Sequence, residues 1–220
     1  MVLTPIITDD GSPTFRNEYY DQPYHSKSGA IEESFKKYAL PLKIWEKENP
    51  VIYDVCFGIG YNAAAALDLF LEKGKGKIII YCYENDNEIL GKVFEINPEF
   101  KNYGLIQQLI RNYFETGNTV LENDKARLVL CVGDARLLVK EAKDNADFVF
   151  FDPFSPKKHP EMWEEGFFRD IYEKMNKNSI LSTYSYARIV RDNLKSAGFM
   201  VSAGPVVGRR SPSTIAVKNS

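Results

Sequence analysis

The 220-residue sequence is short of sulfur, of histidine and of long apolar runs. Each shortage closes off a class of protein. Its three cysteines, Cys56, Cys82 and Cys131, form no CxxC pair, and each falls in an apolar, strand-like run. That pattern predicts buried free thiols in a reducing compartment rather than a disulfide framework. The two histidines, His25 and His159, are too few and too scattered for a metal cluster, so no metal is expected. No apolar stretch approaches the roughly 20 residues that span a bilayer, and no signal peptide precedes Met1-Val2-Leu3-Thr4. The expectation is a cytoplasmic protein with no membrane contact.

Repeats and low-complexity linkers are also missing, and so is any device for gripping phosphate. There is no Walker sequence and no lysine in the glycine turn at Gly58–Gly60. A net charge of −2 rules out a uniformly polycationic nucleic-acid binder. The charge is uneven, however: residues 174–220 hold eight Lys or Arg and one acid, Asp192. A basic face near the C-terminus that meets phosphate and an ordinary solvated helix face both fit this imbalance.

What is present is an alternation. Short β-branched or aromatic runs predict strands over 51–56, 77–83, 128–132, 148–151, 179–184, 199–203 and 214–217. Helical patterns fall over 62–73, 87–96, 103–114, 135–143 and 160–175, and a sixth over 186–197 stops at Gly198. This spacing implies an α/β fold, a mostly parallel sheet with helices on both faces. The last two strands are joined by only 204–213, too short for a crossover helix, so they should pair antiparallel. Seven strands with an antiparallel last strand is the three-layer, Rossmann-like class I methyltransferase fold. Residues 46–220 are read as that domain. Residues 1–45 are read as an arm, either capping the site or extending the packing. A helical spacing over 29–45 is ended or kinked there by Pro41.

Four predicted strand ends carry the residues of interest. Gly58 and Gly60 bracket the turn after the first strand, where the backbone approaches a ligand closely and the next helix offers free N–H groups. Glu84 ends the second strand, the place from which an acid grips ribose hydroxyls; a helix N-terminal charge is the plainer alternative. Asp134 follows the third strand, either accepting from an adenine amino group beside the Ala135 N–H, or simply capping a helix, or both. Asp152 ends the fourth strand, ahead of a proline-stiffened loop. Asp54 and Glu84 near the glycine turn would repel a pyrophosphate. A cationic sulfonium without phosphate suits such a pocket, which points to S-adenosyl-L-methionine as cofactor.

The sequence resembles the methyltransferase domain of the MnmC-type tRNA 5-methylaminomethyl-2-thiouridine enzymes. The matching stretches are Phe57-Gly58-Ile59-Gly60-Tyr61-Asn62, Tyr83-Glu84, Gly133-Asp134, Phe151-Asp152 through Met162-Trp163, Thr183-Tyr184-Ser185, Ala197-Gly198-Phe199 and Gly208-Arg209-Arg210. Tyr24-His25-Ser26 and Gly29-Ala30-Ile31-Glu32-Glu33 match the family's N-terminal segment. Two positions depart from the family: Pro153, where Gly is frequent, and His159, where Asn is common. The family's FAD-binding oxidase half is not expected here, so only the methyl-transfer half is implied.

The resemblance implies N-methylation of 5-aminomethyl(-2-thio)uridine at the wobble position. The tRNA anticodon stem-loop is then the partner, and a separate enzyme supplies the amine. It implies that Glu33, Asn62 and Pro153 join Gly58, Gly60, Glu84, Asp134, Ala135 and Asp152 around the cofactor. Asp152 orients the amine, with Tyr184 beside it. Phe154 and Ser185 line the substrate side, and Phe154 or Trp163 would stack the base, core packing being the better account of Trp163. Arg188, Arg191, Arg209 and Arg210 would meet stem phosphates. One rival is a spermidine-synthase-like aminopropyltransferase or a small-amine methyltransferase, disfavoured by Lys157-Lys158 and the basic tail. The other is a non-catalytic RNA-binding module, disfavoured by the full set Gly58, Gly60, Glu84, Asp134 and Asp152.

Overall fold

A small antiparallel arm packs on an eight-stranded main sheet and its first helix. The computed structural model describes residues 2–208 and 210–219. The arm opens with β1 (Leu3–Ile7), β2 (Pro13–Asn17) and β3 (Gln22–Pro23), a small antiparallel sheet where the sequence showed only turn-forming and aromatic residues. The Asp9–Ser12 turn between β1 and β2 is organised by Asp10. It accepts the Thr8 hydroxyl at 2.6 Å and the Ser12 N–H at 3.0 Å, then reaches out to the Glu32 N–H at 3.2 Å.

The single helix expected over 29–45 is instead three pieces. A short α1 (Ala30–Glu33) widens into a π-helical turn over Ser34–Ala39, and a 3₁₀ turn follows at Ile44–Glu46. The wide turn ends where the Leu40 N–H donates to Phe35, five residues back, at 2.9 Å. Pro41, next in line, has no N–H with which to continue the ladder.

The main body runs β4 (Val51–Val55), α2 (Tyr61–Lys73), β5 (Ile78–Glu84), α3 (Asn87–Gly91), α4 (Tyr103–Thr116), β6 (Val120–Glu122), β7 (Ala126–Val132), α5 (Ala135–Leu138), β8 (Ala146–Phe151), α6 (Glu165–Glu173), β9 (Met175–Thr183), α7 (Arg188–Ser196), β10 (Met200–Ala203) and β11 (Thr214–Lys218). Among the described residues these strands form one sheet in the order β10-β11-β9-β8-β4-β5-β7-β6. The seven expected strands are all there, and β11 lies antiparallel to both β10 and β9. The eighth, β6, adds an antiparallel edge to β7. Three residues are too few to display the alternation by which a strand is read.

Alternation along the central strands divides the core in two. Ile52, Ile80, Leu128, Phe148 and Phe150 face α2, α4 and the arm. Tyr53, Tyr83, Val149, Phe151 and Leu181 face the layer that contains α6 and α7. β8 is buried along its whole length, and so reads as a continuous apolar run. Each of its three phenylalanines contributes on the order of 2–3 kcal/mol by leaving water. α2 is apolar nearly all round because the arm covers the side that the sheet does not: Ala63 through Leu67 are fully buried.

The chain leaves β4 outward through β5 and β7, then returns to place β8 on the other side of β4. That reversal opens a crevice at the carboxyl ends of β4 and β8, the place where open α/β sheets hold ligands. No helix among the described residues is long and apolar enough to cross a membrane.

Candidate functional site

Parallel register brings the ends of β4, β5, β7 and β8 to one level, with Val55 opposite both Tyr83 and Phe151, and Glu84 opposite Val132. Above them lies a cleft of about 1010 Å³, counting the open solvent at its mouth, with arm residues such as Tyr20, Tyr24 and Glu33 in its lining. A smaller hollow of about 360 Å³ adjoins it, sharing Cys56, Glu84, Asn85 and His159 with the first.

The glycine turn is tighter than its glycines alone suggest. Cys56, Gly58 and Gly60 adopt φ of 65°, 57° and 79°, so a non-glycine residue starts a run of alternate left-handed positions. Two restraints hold it there. The Phe57 N–H donates to the Tyr83 carbonyl at 2.9 Å, and the Gly58 N–H donates to Glu84 Oε2 at 2.8 Å. Gly60 is required for space as well: a Cβ there would lie 2.6 Å from the Phe57 ring.

Glu84 Oε1 accepts two further N–H groups, from Asn85 at 2.9 Å and Asp86 at 3.0 Å. Burial pushes this carboxyl up, and the three N–H groups pull it back. It borders both hollows. Asp134 and Ala135 border the smaller hollow alone. Asp134 caps α5 through the Arg136 N–H at 2.9 Å, and the Arg136 guanidinium beside it holds its carboxyl below the usual range. The cap reading is thus realised, with an arginine clamp that the sequence did not reveal.

Asp152 closes the floor of the larger cleft. Its N–H continues the sheet by donating to Val55 at 3.1 Å, and its Oδ2 accepts the Asn62 amide at 2.9 Å. Burial raises its carboxyl to about 6, and the neighbouring Glu33 adds to the rise. Tyr38, Asn62 and Lys37 oppose it. Pro153 and Tyr184 line the same cleft and are joined, the Tyr184 hydroxyl donating to the Pro153 carbonyl at 3.1 Å. Glu33 reaches the cleft from the arm.

The mouth is aromatic. Phe154 sits between Tyr20, with ring centroids 4.6 Å apart, and Tyr24, at 5.0 Å. His159 also packs against Tyr20, with ring centroids 5.2 Å apart. His25 stacks on Tyr61 at 5.0 Å and shares a hydrogen with Thr14 Oγ1 at 2.8 Å; burial pushes it down to about 4, so it is neutral.

Several expectations change. Ser185 does not line the cleft: it is buried, accepts the Ala187 N–H at 3.4 Å through its hydroxyl, and accepts the Thr214 hydroxyl at its carbonyl. Its work is to stop β9. Trp163 is core, with its indole N–H donating to the Phe154 carbonyl at 2.8 Å. Asp54 is no exposed repelling charge. It is fully buried beneath the turn, and burial together with nearby Asp152 pushes its carboxyl well up. Of the three thiols, only Cys82 is fully enclosed; Cys56 and Cys131 are half-buried.

On the basic face, Arg188 is exposed and pairs with Asp192 at 3.3 Å. Arg191 lies over the Tyr186 ring at 4.2 Å. Arg210 is exposed on the loop that packs against Ser26 and Ser28 at the cleft's rim, and Arg209 lies outside the described residues. Sequence reasoning missed Lys37, Tyr38 and Tyr20. Nothing in the sequence distinguishes them from residues of a solvated arm.

Comparison with known proteins agrees with this geometry. A family model described as S-adenosyl-L-methionine-dependent methyltransferase matches residues 99–219. An uncharacterized protein of Methanocaldococcus jannaschii is 34% identical over 97% of this chain and 59% of its own. The bifunctional protein MnmC of tRNA 5-methylaminomethyl-2-thiouridine biosynthesis from Marinomonas is 29% identical over 96% of this chain. This chain spans only 33% of that protein's length. The crystal structure of MNMC2 from Aquifex aeolicus superposes with a TM-score of 0.80 at 32% identity, covering 98% of this chain and 70% of that one. A spermidine synthase with a TM-score of 0.61 and 12% identity shares the fold.

The raised Asp152 carboxyl has a consequence for stability. Its folded value, about 6, exceeds its unfolded one, near 3.8, so folding disfavours the ionised form. The cost is absent below about pH 4, grows through the window between the two values and is complete above 6. Asp152→Asn is therefore expected to stabilise the fold by about 1–3 kcal/mol at pH 8 and by less at pH 5. Urea denaturation at the two pH values checks this, and an equal gain at both contradicts the raised carboxyl.

Proposed function

The chain belongs to the S-adenosyl-L-methionine-dependent methyltransferase family, and from that premise we propose that it methylates the primary amine of 5-aminomethyl(-2-thio)uridine at the tRNA wobble position. The observation that carries this reading is Asp152: a strand-end carboxylate on the cleft floor, fixed by Asn62 and raised toward neutrality, below an aromatic mouth.

The cofactor suits the residues present. The glycine turn holds no cation, and Glu84 presents a buried carboxylate to both hollows. The Asn62 Oδ1 is a buried acceptor with no hydrogen-bond partner among the described residues. In this reading Glu84 takes the ribose hydroxyls, and Asp134 with the Ala135 N–H takes the adenine side. Gly58, Gly60, Asn62, Glu33 and Pro153 surround the remainder. When bound, S-adenosylmethionine supplies a methyl group already activated by its positively charged sulfur.

The protein's remaining task is to position a neutral amine and exclude water. Asp152 accepts a hydrogen bond from the amine, aims its lone pair and takes the surplus proton; a carboxyl near 6 holds that proton better than an ordinary aspartate. Tyr184 braces the backbone at Pro153 and so fixes the loop that carries Phe154. Phe154 offers a ring face to the base, and Arg188, Arg191 and Arg210 meet stem phosphates. Residues 1–45 act as the cap of the site. A tRNA substrate makes the protein cytoplasmic and requires a separate source of the aminomethyl group. An aminopropyltransferase acceptor site would be acidic throughout, whereas Lys157 and Lys158 are exposed on the loop after Asp152.

Four measurements test the reading. Mass spectrometry of tRNA nucleosides after incubation with labelled cofactor should show a methylated aminomethyl uridine. Asp152→Asn should lower its formation by about 10²-fold or more while leaving cofactor affinity within a few-fold; near-normal turnover would remove Asp152 from the reaction. Glu84→Gln should weaken cofactor binding by roughly ten- to a hundredfold in calorimetry, since it loses a charge-assisted contact of about 1.5–3 kcal/mol. Arg210→Ala should reduce the slope of log affinity for tRNA against log salt by about one unit, the signature of one lost phosphate contact. An unchanged slope would return that arginine to the role of a solvated side chain.

A further inference from the structure

Lining the cleft with Asp152 is a pair of charges of which only Glu33 has been given a part so far, at the edge of the cofactor. Glu33 and Lys37, four residues apart, form an ion pair whose side chains are only 9% and 2% exposed, and both border the larger cleft. Removing two charges from water is costly, and apolar residues of similar volume would fill the same space at no loss of stability. Packing alone therefore does not explain the pair.

Its mounting is rigid. Glu33 Oε2 accepts the Ser26 N–H at 2.9 Å, from the part of the arm that lines the cleft. The Lys37 carbonyl accepts the Ser182 hydroxyl of β9 at 2.7 Å. Between them the backbone takes its π-helical turn, a rare form concentrated at functional positions, and the next residue, Tyr38, turns its buried hydroxyl toward Asp152.

We propose that Glu33 and Lys37 are a positioning pair for Asp152: two fixed charges of opposite sign that set the protonation state in which its carboxylate meets the acceptor amine. The inference rests on the role given to Asp152 above. The titratable and charged groups around that carboxyl are Glu33, Lys37 and Tyr38 from the arm, Asp54 and Cys56 from β4 and its turn, Glu84 and Asp86 from the end of β5, and Tyr184 from the end of β9. Burial pushes Tyr38, Asp54 and Cys56 well up, which favours their neutral forms. Among the charged groups, Glu33 and Lys37 are the ones whose charges act most on Asp152, Glu33 raising it and Lys37 lowering it. His25, stacked against Tyr61 and neutral, adds no charge to the pair.

The two charges push in opposite directions, which makes the proposal testable by sign. Carbon-13 NMR of aspartate-labelled protein without cofactor follows the Asp152 carboxyl, with its resonance assigned by its loss in Asp152→Asn. Glu33→Gln leaves a lone cation and should lower the titration by about one unit. Lys37→Met leaves a second anion and should raise it by about one unit. The double variant Glu33→Gln/Lys37→Met should fall between the two. The acid limb of turnover against pH should move in the same directions. A merely structural pair would lower stability in both single variants and move the titration in neither, or in both alike; that result overturns the proposal. If Lys37→Met does not fold, comparing Glu33→Gln with the double variant isolates the lysine: equal titrations overturn the proposal, and a higher value in the double variant supports it. Retained turnover in Asp152→Asn would end the amine-handling role, while the carboxyl titration would still report on the pair.

Discussion

Three backbone N–H groups converge on one carboxylate, and the geometry of the cleft follows from that. Glu84 accepts from Gly58 on the β4 side and from Asn85 and Asp86 on its own. Bonds of this kind, with an ionised acceptor, are roughly twice as strong as neutral ones. They fasten the glycine turn to the end of β5, and the turn in turn starts α2, from which Asn62 reaches Asp152. Without the carboxylate the Gly58 N–H would be left without a partner where burial makes that costly. The acid is thus a structural strut that ties two strand ends together.

Three acids at or beneath this crevice differ in what surrounds them. Asp54, sealed beneath the turn, has no well-formed hydrogen bond among the described residues, and burial pushes its carboxyl well up. Glu84 is satisfied by N–H donors. Asp152, open to the cleft and flanked by two opposed charges, is raised to about 6, with burial the main cause. Environments that drive like groups apart in this way let one crevice hold carboxyls of the same chemistry with different proton affinities.

The strand ends were legible because burial on both faces forces continuous apolar runs, and the polar residue that ends such a run must face the edge. Glu84, Asp134 and Asp152 were readable on that ground. Asp54 was not, because a strand shows its alternation but not what covers each face. The arm escaped for other reasons. β3 is two residues long, and β1 and β2 owe their pairing to backbone bonds that leave no mark in composition. Glu33 and Lys37 stand four apart, which in a sequence is the pattern of a solvated helix pair. The packing of the arm against α2 and β9 makes it a buried one. Ser185 was misread in the opposite sense: a polar residue after a strand resembles a site residue until its hydroxyl is seen capping its own backbone.

That contact between arm and β9 spans 145 residues, from Lys37 to Ser182, and Gly208 rests on Ser28 from farther still. The arm is thus seated by partners of two kinds: α2, a near neighbour in the sequence, against which its apolar face packs, and β9, far along it, which fixes the wide turn. The first contact is local and can form early; the second waits until β8 and β9 have joined the sheet. Contacts of such separation form late and slow folding. The wall of the cleft that the arm supplies therefore takes its final position only through pairings that reach across most of the sequence.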